Sequence, residues 1–135
     1  MKIQGGCYCK AVRYEIDAEP TLVAQCHCRE CQYISGGSPN VCVVVPDSGF
    51  RYLQGKVKQF RRSDLENPVS REFCPECGTH MVTHSPALPG TTVIKLGTLD
   101  RPDAFGGPQV AIFTVDQQPF HQIAAGLPSF ARMPG

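Results

Sequence analysis

The sequence predicts a mainly β protein, and three observations carry that expectation. Apolar residues fall in short runs that either alternate with polar residues or are β-branched throughout. Twelve prolines and thirteen glycines in 135 residues punctuate the chain with turns. No segment keeps a 3.6-residue apolar period beyond two turns, so at most two short helical turns are expected. A chain of this length forms one domain, 1–135, that buries on the order of 68% of its unfolded surface.

In order, residues 2–16 read as two short strands around Gly5-Gly6-Cys7-Tyr8-Cys9. Val12, Tyr14 and Ile16 alternate there with Arg13, Glu15 and Asp17, the period of a half-buried strand. Pro20-Thr21 interrupts the pattern, and residues 22–25 form a further strand leading into Cys26-His27-Cys28-Arg29-Glu30-Cys31. One helical turn is expected at 29–34, ended by Ser35-Gly36-Gly37-Ser38-Pro39-Asn40. Residues 41–45, β-branched around Cys42, read as a buried strand stopped by Pro46-Asp47-Ser48-Gly49. Residues 50–53 and 56–62 read as a hairpin turning at Gln54-Gly55, followed by a polar loop at 63–68. Strands are expected at 69–73, 79–84, 92–96 and 110–115, with a turn or short helix start at Asp100-Arg101-Pro102-Asp103 and an irregular tail over 119–135.

A hydrophobic content of 41% and a charged content of 19% belong to a soluble globular chain. The formal charge of +1 provides no field for nucleic acid or a membrane surface. The first residues, Met1-Lys2-Ile3-Gln4-Gly5-Gly6, do not resemble a secretion signal, and the longest apolar run, 41–45, is too short to span a bilayer. A cytoplasmic location is therefore expected.

Eight cysteines make up about 6% of the chain, below the share that marks a disulfide scaffold. Seven lie in C-x-C, C-x-C-x-x-C and C-x-x-C groups, which read as metal ligands in a reducing compartment. Cys74-Pro75-Glu76-Cys77-Gly78 is the most specific of these, because proline fixes the turn and glycine accepts a positive φ after the second sulfur. Two thiolates are half a tetrahedral site, and Cys7 with Cys9 can complete it as a closed structural zinc. Cys26, Cys28 and Cys31 then stand as a trio whose fourth ligand is either one of Cys42, His80, His84 and His121 or no protein atom at all. Cys42 lies in an apolar strand, His27 should point away from the sulfurs that flank it, and His80 and His84 share a strand face. A three-cysteine zinc with a vacant position would bind a thiol, lower its pKa and make it a nucleophile for a small aldehyde. A second reading is a zinc-stabilised binding module that contacts a partner through Arg51, Lys56, Lys58, Arg61 and Arg62 of the 50–62 hairpin, with Phe50, Tyr52 and Phe60 interleaved.

The chain resembles the glutathione-dependent formaldehyde-activating enzyme family, which includes the centromere protein V-type domain. The resemblance rests on Gly6-Cys7-Tyr8-Cys9, on Cys26-His27-Cys28-Arg29-Glu30-Cys31 followed by Ser35-Gly36, and on Phe73-Cys74-Pro75-Glu76-Cys77-Gly78-Thr79. It extends to Gly97-Thr98-Leu99-Asp100 and to residues 108–113. It implies a β-tent of antiparallel sheets with two zinc ions, a structural one on Cys7, Cys9, Cys74 and Cys77 and a catalytic one on Cys26, Cys28 and Cys31. It also implies carbon–sulfur lyase chemistry joining glutathione, or a similar small thiol, to formaldehyde as S-(hydroxymethyl)glutathione. Lys10 stands where the family usually has glycine, and Phe120 where tryptophan is common.

Overall fold

The short apolar runs do become strands, and they divide between two sheets. In the computed structural model, which describes residues 2–134, a three-stranded antiparallel sheet contains β1 (Ile3–Gly6), β2 (Arg13–Ile16) and β5 (Phe50–Gln54) in the order β1-β2-β5. The larger sheet holds β3 (Leu22–Cys26), β4 (Asn40–Pro46), β6 (Lys58–Phe60), β7 (Ser70–Phe73), β8 (His80–His84), β9 (Thr91–Lys95) and β10 (Val110–Ile112). Its order is β10-β3-β4-β9-β8-β7-β6, antiparallel except where β10 runs parallel to β3. The helical content is one α-helix, α1 (Arg29–Ser35), and three 3-10 turns at Asp47–Gly49, Leu96–Thr98 and Thr114–Asp116. The two turns allowed by periodicity undercount these, because a three-residue turn is too short to show a period.

β4 explains the layering. Val43 and Val45 face the small sheet and pack with Tyr14, Ile16, Val23, Val82 and Ile94. Cys42 and Val44 face the other way and pack with Ala24, Cys26, Cys31, Val93 and Ile112. Phe113, Phe130 and Met133 press on that second cluster. Both faces of β4 are therefore covered, which is why its sequence is apolar over residues 41–45 instead of alternating. The tail after residue 119 has no strand of its own, as expected, yet it is fixed along β10 by the Phe130 N–H on Ala111 O at 2.9 Å and the Ala111 N–H on Pro128 O at 2.8 Å.

The expected hairpin at 50–62 does not form. β5 pairs with β2 in the small sheet, and β6 pairs with β7 in the large one. Gly55 makes the crossing at φ 80°, where a Cβ would lie 2.2 Å from Ala11 O. Only glycine fits this close approach, and the turn directs the chain from one sheet to the other. The basic residues are thereby separated, and two of them are paired: Arg51 with Glu15 at 2.9 Å and Arg62 with Asp64 at 2.6 Å. Phe50 and Tyr52 pack against the core, whereas Phe60 is 52% exposed.

Lys10 occupies the left-handed region at φ 69°, closing the turn in which its N–H meets Cys7 O at 3.1 Å. The backbone conformation is the one glycine would hold. A lysine there costs about 1–2 kcal/mol of steric strain, part of which glycine would return as lost chain entropy. Lys10→Gly is expected to stabilise the fold by up to about 1 kcal/mol, raising Tm by roughly 3 °C in thermal unfolding at matched metal content. An unchanged or lower Tm would count against strain at this turn.

Candidate metal centres

The first centre joins the two sheets. Cys7 and Cys9 follow β1 of the small sheet, and Cys74 and Cys77 follow β7 of the large one. Their four sulfurs lie within 4.8 Å of one another. Cys7 Sγ is 3.6 Å from Cys9 Sγ, which is 3.8 Å from Cys74 Sγ. Sulfurs placed tetrahedrally at zinc's usual bond length of about 2.3 Å would be about 3.8 Å apart, so the donor set and its spacing fit that ion. Backbone geometry sets this spacing. The Gly78 N–H bonds Cys74 O at 2.8 Å, with Gly78 at φ 77°, and the Cys74 N–H bonds Thr79 O at 2.9 Å. The Val12 N–H on Cys7 Sγ and the Glu76 N–H on Cys74 Sγ add donors to the sulfurs. Hydrogen bonds from Thr79, side chain first and then backbone, bring the Cys77 thiol down to about 5. Cys77 is thereby prepared to be a thiolate.

The second centre is local in sequence. Cys26 ends β3, Cys28 caps α1, and Cys31 sits in the first turn of α1, with its N–H on Cys28 Sγ at 3.4 Å. Gly36, at φ 79°, closes the other end of the helix. The three sulfurs lie within 4.8 Å of one another, and among the described residues no fourth Cys, His, Asp or Glu donor joins them. Hydrogen bonds from Cys26 and Cys28 carry the Cys31 thiol down to about 3 against its burial, aided by the positive charges of Lys95 and Arg71. Hydrogen bonds with Cys28 and then Cys31 push the Cys26 thiol the other way, and burial adds to that shift.

Each of the four expected fourth ligands is occupied elsewhere. Cys42 is buried, and burial pushes its thiol up to about 11, so it remains a packed thiol. His80 directs Nε2 at Val82 O (3.1 Å) and Thr83 Oγ1 (3.3 Å). His84 lies at the opposite end of β8, 3.4 Å from Glu72. His121 is fully used by a buried network that also takes up His27.

That network resolves atom by atom. His121 Nε2 lies 2.7 Å from Gly37 O, so it carries the proton and donates. His121 Nδ1 then accepts from the Gln118 N–H at 3.2 Å and from His27 Nδ1–H at 2.9 Å. His27 Nε2 in turn accepts from the Gln25 amide at 3.1 Å, whose other hydrogen goes to Gln122 O at 2.8 Å. Both rings are neutral in this arrangement, and burial, then His121, pushes the His27 pKa down. Buried Gln32 donates from Nε2 to His27 O (2.8 Å) and Asp116 O (2.9 Å). The backbone between the sulfurs is therefore tied to residues 116–122 of the tail.

A cavity of 630 Å³ is lined by Tyr33, Asn40, Phe60, Arg71, His80 and Lys95 among others; the trio's sulfurs do not line it, but Lys95 and Arg71 of its lining act on Cys31. Sequence reading missed Asn40, Arg71 and Lys95. The available signal was Lys95 itself, a charge ending a β-branched run on the same face as Val93.

A family model described as glutathione-dependent formaldehyde-activating enzyme matches residues 2–116. Among solved structures, a crystal structure of a Rhodobacter sphaeroides protein is similar in fold at a TM-score of 0.63 and 18% identity, covering 78% of this chain and 97% of that one.

Burial, with Lys95 next and Arg71 behind it, holds the His80 pKa at about 4, below the ordinary 6.5. A histidine depressed in this way contributes stability in full above pH 6.5 and loses it as pH falls toward 4. Imidazole NMR should show His80 titrating near 4, and Lys95→Met should raise that midpoint. A midpoint unmoved by Lys95→Met would show that the two groups do not face each other.

Proposed function

The chain belongs to the glutathione-dependent formaldehyde-activating enzyme family, and from that premise we propose a zinc-dependent carbon–sulfur lyase centred on Cys26, Cys28 and Cys31. It adds a small thiol of the glutathione kind to formaldehyde and, in reverse, releases thiol and aldehyde from the adduct. The observation that supports this reading is the trio itself: three clustered sulfurs with no fourth side-chain donor among the described residues. Catalytic zinc characteristically keeps three protein ligands and one position for substrate, whereas the four-sulfur centre has the composition of a structural site.

Each residue has a distinct part. Cys26, Cys28 and Cys31 hold the ion, which when bound supplies Lewis acidity that keeps an incoming sulfur deprotonated near neutral pH. Cys28 occupies the N-cap of α1, where its sulfur accepts the Cys31 N–H. The wiring of His27 and Gln32 holds the loop in place, so the sulfurs keep their spacing. Cys7, Cys9, Cys74 and Cys77 keep the two sheets together and take no part in the reaction.

The addition balances without an oxidant or reductant. The sulfur lone pair forms the S–C bond, the carbonyl π pair moves onto oxygen, and the proton lost by the thiol ends on that oxygen. Cleavage retraces these movements.

Metal analysis should find two zinc ions per chain, and X-ray absorption an average of between three and four sulfurs per ion, rising toward four when thiol is added. Four sulfurs per ion before any thiol is present would refute the vacant position. Cys28→Ser should leave a folded protein that has lost one zinc and its thiol binding, while Cys74→Ser should lose the fold. The two variants are told apart by circular dichroism and zinc content.

A further inference from the structure

Lys95 is only 7% exposed, yet among the described residues no carboxylate or hydrogen-bond acceptor meets its ammonium. Burying an unpaired ammonium is costly, and such groups are normally paired. Asn40 is 9% exposed, and its Nδ2 is buried with no partner. Both residues line the 630 Å³ cavity, so a lysine charge with no ion pair or hydrogen bond and a buried amide with no partner share one space.

The sheet register locates that space. Asn40 lies opposite Cys26, and Lys95 lies opposite Cys42, two residues further along the same face of β4. Arg71 also lines the cavity, and its closest carboxylate, that of the mostly exposed Glu30, is 3.9 Å away. Three thiolates around a divalent ion would leave one negative charge, which answers one of the two cations. Tyr33, Phe60 and Phe73 form aromatic walls around this polar floor.

We propose that Lys95 and Asn40, with Arg71, form a carboxylate-binding subsite that fixes a small organic acid beside the cysteine trio. A carboxylate offers two acceptor oxygens, one for the ammonium and one for the Asn40 amide. The body of the acid lies against the aromatic walls. The assignment of the acid as part of the thiol substrate rests on the function proposed above; the subsite itself does not.

The test titrates 3-mercaptopropionate, 3-mercaptopropanamide and sulfur-free propionate into the zinc-loaded protein. Calorimetry gives affinities, and ¹H–¹⁵N spectra locate the binding. The acid thiol should bind about tenfold tighter than its amide, a gap that Lys95→Met closes to less than twofold. That variant keeps most of the length of the side chain and removes its charge, so it should fold, and its unfolding midpoint is checked first. Propionate should perturb the Lys95 and Asn40 signals in the wild type and leave the Asn40 signal unmoved in the variant. Equal binding of acid and amide, or propionate leaving those signals unmoved, overturns the subsite. So does a Lys95→Met variant that loses zinc and keeps the acid–amide gap, since the lysine would then only balance the charge of the trio. If neither thiol binds and propionate still perturbs Lys95 and Asn40, the subsite stands and the thiol reaction falls.

Discussion

Everything in this molecule depends on β4 having two faces that are both buried for different reasons. Val43 and Val45 serve the packing between the sheets, where Tyr14 is fully enclosed and its hydroxyl meets Thr98 at 2.6 Å. Asn40, Cys42 and Val44 serve the opposite face, which carries the trio, the cavity and the tail. A strand solvated on one face could not do both. The large sheet therefore acts as a partition, with the main hydrophobic core on one side of it and the cysteine trio in a second cluster on the other.

The second face lacks another sheet to cover it, and the tail takes that role. Phe113, Phe130 and Met133 supply apolar cover, and the two histidines supply specificity. The network around His27 has a defined tautomer at every ring nitrogen, so it satisfies a buried polar cluster without charge. Neutrality matters here: an added proton on His121 would set two donors against each other at 2.9 Å, and one on His27 would oppose the Gln25 amide at 3.1 Å.

Much of this was legible in the sequence because it is written in local patterns. The strands at 13–16, 22–26 and 91–95 follow from alternation or β-branching, and both cysteine sets follow from their spacing. The pairing of β5 was not legible. Gln54-Gly55 has the composition of a hairpin turn, and only the approach to Ala11 shows that it crosses between sheets. The roles of Lys95, Asn40 and His121 were hidden for a related reason. Each is placed by strand pairing or contacts far away in sequence, as in the 94-residue separation of His27 and His121. Lys10 shows the converse: a lysine can hold a glycine's φ when the sulfurs beside it require the turn.

The two sulfur clusters also differ in how much chain they enclose. The trio closes over six consecutive residues, whereas Cys9 and Cys74 are 65 residues apart. By loop-closure entropy alone, the long loop costs about 2 kcal/mol more to close. The trio can gather its sulfurs while the rest of the chain is still open. The four-sulfur cluster assembles only after the small sheet has reached the large one. An ion held by the four sulfurs would therefore tie the two sheets together, whereas one held by the trio would close only a local loop.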